Sequence, residues 1–287
     1  MDTSLDERRR ARELNRVDPA NARSWLLVSA LRDDLFDEAQ LSRSDQVVLD
    51  WEDSVDESRK DVARSQVIDW LADGGRAWVR IDDRSSASWA EDVRALRDCP
   101  GLLGVMLAKT ESADQVVDTV QRLGGHLPVI ALVESALGIE EAVSIARAPG
   151  VSRLAFGSGD YRRDTGAANE PIALAYPRSR LVTASRIGGL PGPIDGPTVG
   201  LSHPLLREQS GDAVALGMTG KICLERDQAA VINECFAPSP ADVAWALDFL
   251  TEFEAAGGKI RDGSDKPRLG RARLIRSRAR LFGVNPS

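Results

Sequence analysis

Eight short apolar runs, most of them ending at a charged or polar residue and each separated from the next by room for a helix, constrain this chain more than any other feature. They fall at 25–30, 46–52, 77–82, 104–109, 129–134 and 153–158, with two weaker ones at 192–195 and 215–222. The runs are continuous rather than alternating, as expected of strands buried on both faces. Amphipathic helices fit the intervals, for example 89–97, 112–123 and 138–147, and Ser112 with Gln115 has the spacing of a capping box. The expected fold is α/β, a (β/α)8 TIM barrel with appended C-terminal helices. An open doubly wound sheet is the alternative that periodicity alone does not exclude. The placement of polar residues favours the barrel. Glu52, Asp53, Arg80, Asp82, Lys109, Glu134 and Asp160 all stand at or just beyond the C-terminal ends of predicted strands. In a barrel those ends converge on one mouth, where active sites lie.

Residues 1–22 are polar and read as a frayed helical arm, 23–236 as the barrel, and 237–287 as a helical extension serving as a lid or oligomer contact. In that extension a helix over 238–251 follows the capping run PSPAD, GGKIRDGSDKPRLG reads as an exposed loop, and a last helix spans 271–281. The net charge of −7 argues against a nucleic-acid partner, which needs a basic face. Three cysteines, Cys99, Cys223 and Cys235, without CxxC spacing, suggest neither a disulfide framework nor a zinc cluster. No stretch approaches the roughly 18 apolar residues of a membrane span, and the charged N-terminus is not a secretory signal. The expectation is a cytoplasmic protein with no membrane partner.

The chemistry resides in a few positions. Glu134 ends PVIALVE and Asp160 follows RLAFGSG. Two carboxylates on neighbouring strand ends suit a hard cation such as Mg²⁺, which keeps several waters for a substrate to displace. The plain alternative is that each is a helix cap or an ion-pair partner. In Gly157-Ser158-Gly159-Asp160, glycine lets backbone amides approach a ligand, although the third glycine of a dinucleotide loop is missing. Arg80 can hold a carboxylate or enolate oxygen in a bidentate fork, or simply pair with Asp82 or Asp53. Glu52 and Asp53 can orient metal-bound water, or serve as helix N-terminal charges. Lys109 is a conceivable Schiff-base nucleophile, but a lysine among carboxylates stays protonated and paired. His126 and His203 lack a recognisable nucleophile partner, and no GxSxG is present.

With these residues located, the chain resembles the citrate lyase beta-subunit family, which includes malyl-CoA and citramalyl-CoA lyases within the HpcH/HpaI aldolase superfamily. RSWLLVSA resembles that family's first strand, LDWEDSVDESRKDVAR its LDLEDAV…K…AR signature, and WVRID its VRIN. LVESALG resembles the IET/VET-x-x-G segment and FGSGDYRRDTG the FGxxDxxxDxG segment. PRSRLVTASRIGGLPGPIDGP, LGMTGK and INECFAPSPADVAWAL follow in the family's order, so the likeness covers roughly 23–282. The resemblance implies a homotrimer or larger assembly, Mg²⁺ (or Mn²⁺) on Glu134 and Asp160, and Arg80 on the substrate's carboxylate or carbonyl end. It also implies an acid or base borrowed from a neighbouring subunit, here Asp265 of GSDKP, with Asp262 as a rival.

The implied reaction is reversible C–C cleavage of a 3-hydroxyacyl-CoA-like thioester to an acyl-CoA and an oxo acid. Some segments depart from the pattern. VSALRDDLFDE carries Asp33 and Asp34 where basic residues are usual, GKICLERDQ has Leu224, Glu225 and Arg226 in place of Ile-His-Pro, and Ala108-Lys109 replaces Pro-Lys. Acidic residues near a CoA phosphate repel it. The departures leave open a pyruvate-type class II aldolase on free oxo acids, an acyl-CoA thioesterase, or a non-catalytic barrel that binds metal and oxo acid.

Overall fold

The protein is described by a computed structural model over residues 4–286. The chain divides into two compact units, one up to Asn233 and one from Glu234. In the first, eight parallel strands follow in sequence order and close into a barrel: β1 (Ser24–Ser29), β2 (Gln46–Asp50), β3 (Ala77–Ile81), β4 (Leu102–Leu107), β5 (Val129–Val133), β6 (Val151–Phe156), β7 (Ile194–Asp195) and β8 (Gly220–Cys223). Pairing of β1 with β8 closes the ring and leaves no open edge. The helices before and between them are α1 (Leu5–Leu14), α2 (Phe36–Gln40), α3 (Lys60–Ala72), α4 (Trp89–Leu96), α5 (Ala113–Arg122), α6 (Ala136–Glu140), α7 (Ala142–Ala146), α8 (Ser158–Thr165), α9 (Pro171–Gly188) and α10 (His203–Ala215). Next comes α11 (Gln228–Cys235). The second unit carries α12 (Pro240–Ala255) and α13 (Asp265–Phe282). No helix among the described residues is long and apolar enough to cross a membrane.

Every residue of β2, β3, β5 and β8 is buried, which explains why their apolar runs do not alternate. Trp25, Val48, Trp78, Met106, Ile130, Leu132 and Ile222 form one cluster inside the ring. Trp25 and Trp78 meet edge to face at 5.5 Å. Burying each aliphatic member of that cluster contributes about 1.5–3 kcal/mol. The strand registers then decide which polar residues meet at the mouth. Asp50 is level with Arg80, Asp195 with Lys221, and Val133 with Phe156, which sets Glu134 beside Gly157.

Four local expectations are corrected. The run at 215–222 belongs to β8 only from Gly220. Ala215 ends α10, and Gly217 in a left-handed conformation (φ 96°) turns the chain before the strand. A short apolar run suits either element, and here helix geometry claims its first half. The helix expected at 138–147 is two short ones, α6 and α7, meeting at Glu141. The last helix begins at Asp265 rather than 271. Pro267 lies in its first turn, where a missing N–H costs nothing, so KPRLG is helical and not loop. From residue 4 on, the N-terminal arm is anchored rather than frayed. Ser4 and Glu7 form a capping box on α1, and buried Arg9 donates to Asp37 at 2.6 Å and to the Asp73 carbonyl at 2.7 Å.

In the second unit, Ser239 caps α12 by accepting the Asp242 N–H at 3.1 Å. Ala246, Phe249, Leu250 and Phe253 of α12 pack on Leu269 and Ala272 of α13.

Candidate active site

Arg80 is the centre of the charge cluster at the mouth. Its register with Asp50 on the neighbouring strand turns both side chains to the same face. Nε and Nη2 donate to the two Asp50 oxygens at 2.7 Å each, a bidentate fork. Nη1 lies 3.2 Å from Glu52 and 3.6 Å from Asp53. Burial opposes the guanidinium charge, but Asp50, then Glu52 and Glu134, outweigh it and push the group further toward its charged form. The expected partner Asp82 is engaged elsewhere. It pairs with buried Lys60 at 2.8 Å, and the same ammonium donates to the Trp51 carbonyl at 2.6 Å and the Glu52 carbonyl at 3.2 Å. Lys60 therefore fixes the turn that presents Glu52. Asp50 and Lys60 are the residues that reading the strand ends missed. The register of β2 on β3 and the nine-residue reach from Trp51 to Lys60 identify them only once the fold is known.

Glu134 follows β5 and is 3% exposed. Its Oε1 accepts the Lys109 backbone N–H at 2.7 Å, and among the described residues Oε2 accepts no hydrogen bond. Burial pushes its carboxyl up to about 8, helped by the charges of Asp160 and Glu52 and opposed by the Lys109 amide and Arg80. Lys109 delivers that amide from a left-handed backbone conformation, φ 47°, unusual for a residue with a Cβ and unfavourable by about 1–2 kcal/mol. Its ammonium is paired with Glu52, and with Asp53 at 3.3 Å, as expected of a lysine among carboxylates. Both carboxylates push its pKa up, against burial. Burial likewise pushes Glu52 up, to about 7, while Asp53 is held low by Glu52's hydrogen bond and the cations Arg80 and Lys109, against burial.

Asp160 lies in the first turn of α8 and pairs with Arg163 at 2.9 Å. It shares a cavity of about 470 Å³ with Glu134, Lys109 and Ser135. A larger hollow of about 830 Å³ lies beside Arg43 and Arg226, where Arg226 is tied to Glu38. The smaller one is the better candidate because a buried carboxylate is forced toward protonation there. Among the described residues no group of three or more His, Cys, Asp or Glu forms a metal cage. Glu134 and Asp160 are thus a two-carboxylate set, which fits a cation that retains water, such as Mg²⁺, rather than one that needs a full protein cage. A divalent ion offsets the burial and the neighbouring carboxylate charge that favour a proton on Glu134.

The glycines at this corner are not equivalent. A Cβ on Gly157 would stand 2.1 Å from Glu134 Oε2 and 2.5 Å from Glu134 Cβ, whereas one on Gly159 meets nothing within 4 Å. Ser158 packs its hydroxyl against Gly196. Gly157→Ala is therefore expected to displace the Glu134 carboxylate and weaken Mg²⁺ binding on the order of 100-fold, since a shift near 1 Å has effects of that size. Gly159→Ala is expected to stay within about twofold, as open surface substitutions do. Calorimetric Mg²⁺ titration of both variants checks the pair.

Two further groups complete the inventory. At the β7–β8 side of the ring, fully buried Asp195 binds Arg178 at 2.8 Å and Lys221 at 2.7 Å, and these cations hold its carboxyl low against burial. This occupies the lysine of the GKICLER segment structurally. In the C-terminal unit, Asp265 accepts the Arg261 backbone N–H at 3.0 Å and its Nε at 2.9 Å, and these bonds hold its carboxyl down at about 2. Its rival Asp262 is exposed and caps Ser264.

Comparison with known proteins agrees with this architecture. The HpcH/HpaI aldolase/citrate lyase family matches residues 23–225, and the HpcH/HpaI aldolase C-terminal domain matches 241–283. A citrate lyase subunit beta-like protein of Deinococcus radiodurans is 31% identical over 280 residues, covering 90% of this chain and 98% of the relative. The mitochondrial citramalyl-CoA lyase of Homo sapiens is 29% identical over 238 residues, covering 73% of this chain and 69% of the relative. The structure of the CitE protein of Mycobacterium tuberculosis with magnesium, acetoacetate and coenzyme A superposes with a TM-score of 0.77 at 29% identity, over 92% of this chain and 99% of that one. Matched along most of its length, the chain belongs to the HpcH/HpaI aldolase/citrate lyase family of lyases.

Proposed function

We propose that this protein is a cytoplasmic, Mg²⁺-dependent C–C lyase that reversibly cleaves a 3-hydroxyacyl-CoA-like thioester to an acyl-CoA and an oxo acid. The observation that carries the reading is the pair Glu134 and Asp160 in one cavity at the barrel mouth, with Arg80 locked nearby. Glu134 and Asp160 hold the cation, Mn²⁺ being an acceptable substitute for Mg²⁺, and Glu52 and Asp53 orient its waters. When bound, the ion supplies Lewis-acid polarisation of the oxo-acid oxygens. Arg80 receives the substrate's carboxylate or carbonyl end through the N–H groups that its Asp50 fork leaves over. The backbone of Gly157, Ser158 and Gly159, at the start of α8, faces the same anion with the positive end of a helix.

Asp265, from a neighbouring copy in a homotrimer or larger assembly, takes the substrate hydroxyl proton. The C–C electrons pass to the thioester α-carbon, and that proton returns there to give the acyl-CoA. This role requires the Arg261 pair to open, because a carboxyl held at about 2 is a weak base. The magnesium, acetoacetate and coenzyme A held by the CitE structure support the thioester reading. One observation favours a free-acid aldolase instead. Arg226, in the segment that departs from the family pattern, is paired with Glu38, and Arg32 with Asp34, so each arginine brings a carboxylate with it to any CoA phosphate.

The test is oxo-acid release from malyl-CoA- and citramalyl-CoA-type thioesters across pH, with Mg²⁺ or with EDTA. With burial pushing the Glu134 carboxyl up to about 8, the cation competes with a proton there. At limiting Mg²⁺ the rate is expected to climb with pH and level off above about 8. Higher Mg²⁺ moves the rise to lower pH. Release of free CoA thiol without oxo acid points to a thioesterase. Turnover of free oxo acids alone points to an aldolase, and oxo-acid binding without any turnover to a non-catalytic barrel.

A further inference from the structure

We infer that Lys109 is a charge-balancing positioning residue, which lets the mouth hold a divalent cation and an anionic oxo acid together rather than the cation alone. The inference rests on the metal reading of Glu134 and Asp160. Lys109 acts through two separate groups on three different carboxylates. Its backbone N–H, aimed by the left-handed conformation, donates to Glu134 at 2.7 Å. Its ammonium is spent on Glu52 and Asp53. Glycine would adopt that backbone without strain and keep the amide. What a lysine adds there is the positive charge.

The size of that contribution follows from the charges around it. The mouth gathers Asp50, Glu52, Asp53, Glu134 and Asp160, with Asp83, Glu111 and Asp164 lining the same cavity, against the cations of Arg80, Lys109 and Arg163. Counted as ionised, eight carboxylates stand against three cations, an excess that one divalent ion offsets only in part. An oxo acid then arrives at a site where Lys109 is one of only three cations among these groups. Without the Lys109 ammonium the negative excess left after the cation is bound grows by one charge. Glu52 also loses one of its two cationic partners, next to the Arg80 face that is to take the substrate. The cation gains from the extra negative charge and the anion loses by it. A residue that merely held the loop would weaken both.

Calorimetry on the full-length protein separates these outcomes. Mg²⁺ is titrated first, then pyruvate or oxaloacetate into the Mg²⁺-loaded protein. Lys109→Met and Lys109→Gly are both expected to tighten Mg²⁺ and to weaken the oxo acid, each by about tenfold from charges this close in a partly buried site. Lys109→Arg, which keeps the charge, restores both affinities toward wild type. Parallel weakening of both ligands in the Met and Gly variants would make Lys109 structural only and overturn the inference. So would unchanged affinities in a protein whose wild type binds both. If the wild type binds no Mg²⁺, or Glu134→Gln binds it equally well, the metal reading fails and takes this inference with it.

Discussion

Glu134→Gln is expected to abolish metal-dependent turnover while making the metal-free protein more stable. The substitution keeps the shape and removes the charge. Metal-assisted polarisation is worth several kcal/mol in the transition state, so a loss of roughly 10³-fold or more follows. The stability gain has the opposite origin. The folded carboxyl has its pKa raised from 4.5 to about 8, mainly by burial. Between those values the folded state keeps a proton that the unfolded chain has released, so wild-type stability falls as pH rises through that window and the full penalty applies above about 8. Gln carries no such penalty. In EDTA at alkaline pH the variant should unfold later than wild type, by a margin on the order of a few kcal/mol. Adding Mg²⁺ should raise the wild-type Tm and leave the variant unmoved. Thermal unfolding with and without Mg²⁺, beside the turnover assay, tests both halves. Full metal-dependent activity in the variant would remove Glu134 from the site. Asp160→Asn should lose the metal in the same way.

Arg80→Met is expected to damage the protein twice. Asp50 is 1% exposed, and the fork from Arg80 is its main compensation. Removing one member of a buried pair is unfavourable by about 3–5 kcal/mol. For a unit of this size that lowers Tm by roughly 10 °C. Oxo-acid binding is lost as well. The two effects separate in the double variant with Asp50→Asn, which no longer buries an unpaired charge. Its Tm should recover much of the loss, and its oxo-acid affinity none. Arg80→Lys should also fail to bind the acid, because an ammonium cannot serve Asp50 and a ligand in one planar fork. Recovery of oxo-acid binding in the double variant would mean that Arg80 supports the fold and not the substrate.

Much of the fold was legible because it is written in buried strands. The runs ending at Glu52, Asp82, Lys109, Glu134 and Ser158 are apolar without alternation, and each became a barrel strand with its polar end at the mouth. The weaker parts failed where a run has two readings, as at Ala215–Gly217, or where a stretch rich in loop residues holds a proline in the first turn of a helix, as at Pro267. Within the site, the clustering of Glu134 with Asp160 and of Arg80 with Glu52 and Asp53 follows from strand ends. The Asp50 fork, the Lys60 clamp and the press of Gly157 against Glu134 do not. They depend on cross-strand register to within one residue, and a slip of one would turn each side chain to the other face. The left-handed backbone of Lys109 has no sequence signal either, because glycine is the residue that usually marks it.

The most direct test of the account is a crystal structure of the protein grown with Mg²⁺ and pyruvate or oxaloacetate. The account predicts one ion with oxygens of both Glu134 and Asp160 at about 2.0–2.1 Å, waters completing an octahedron, and the acid bridging the ion and the Arg80 side of the mouth. An ion held by other carboxylates, with Glu134 still bound only to the Lys109 amide, would contradict it. So would an acid bound at the mouth with no metal beside it.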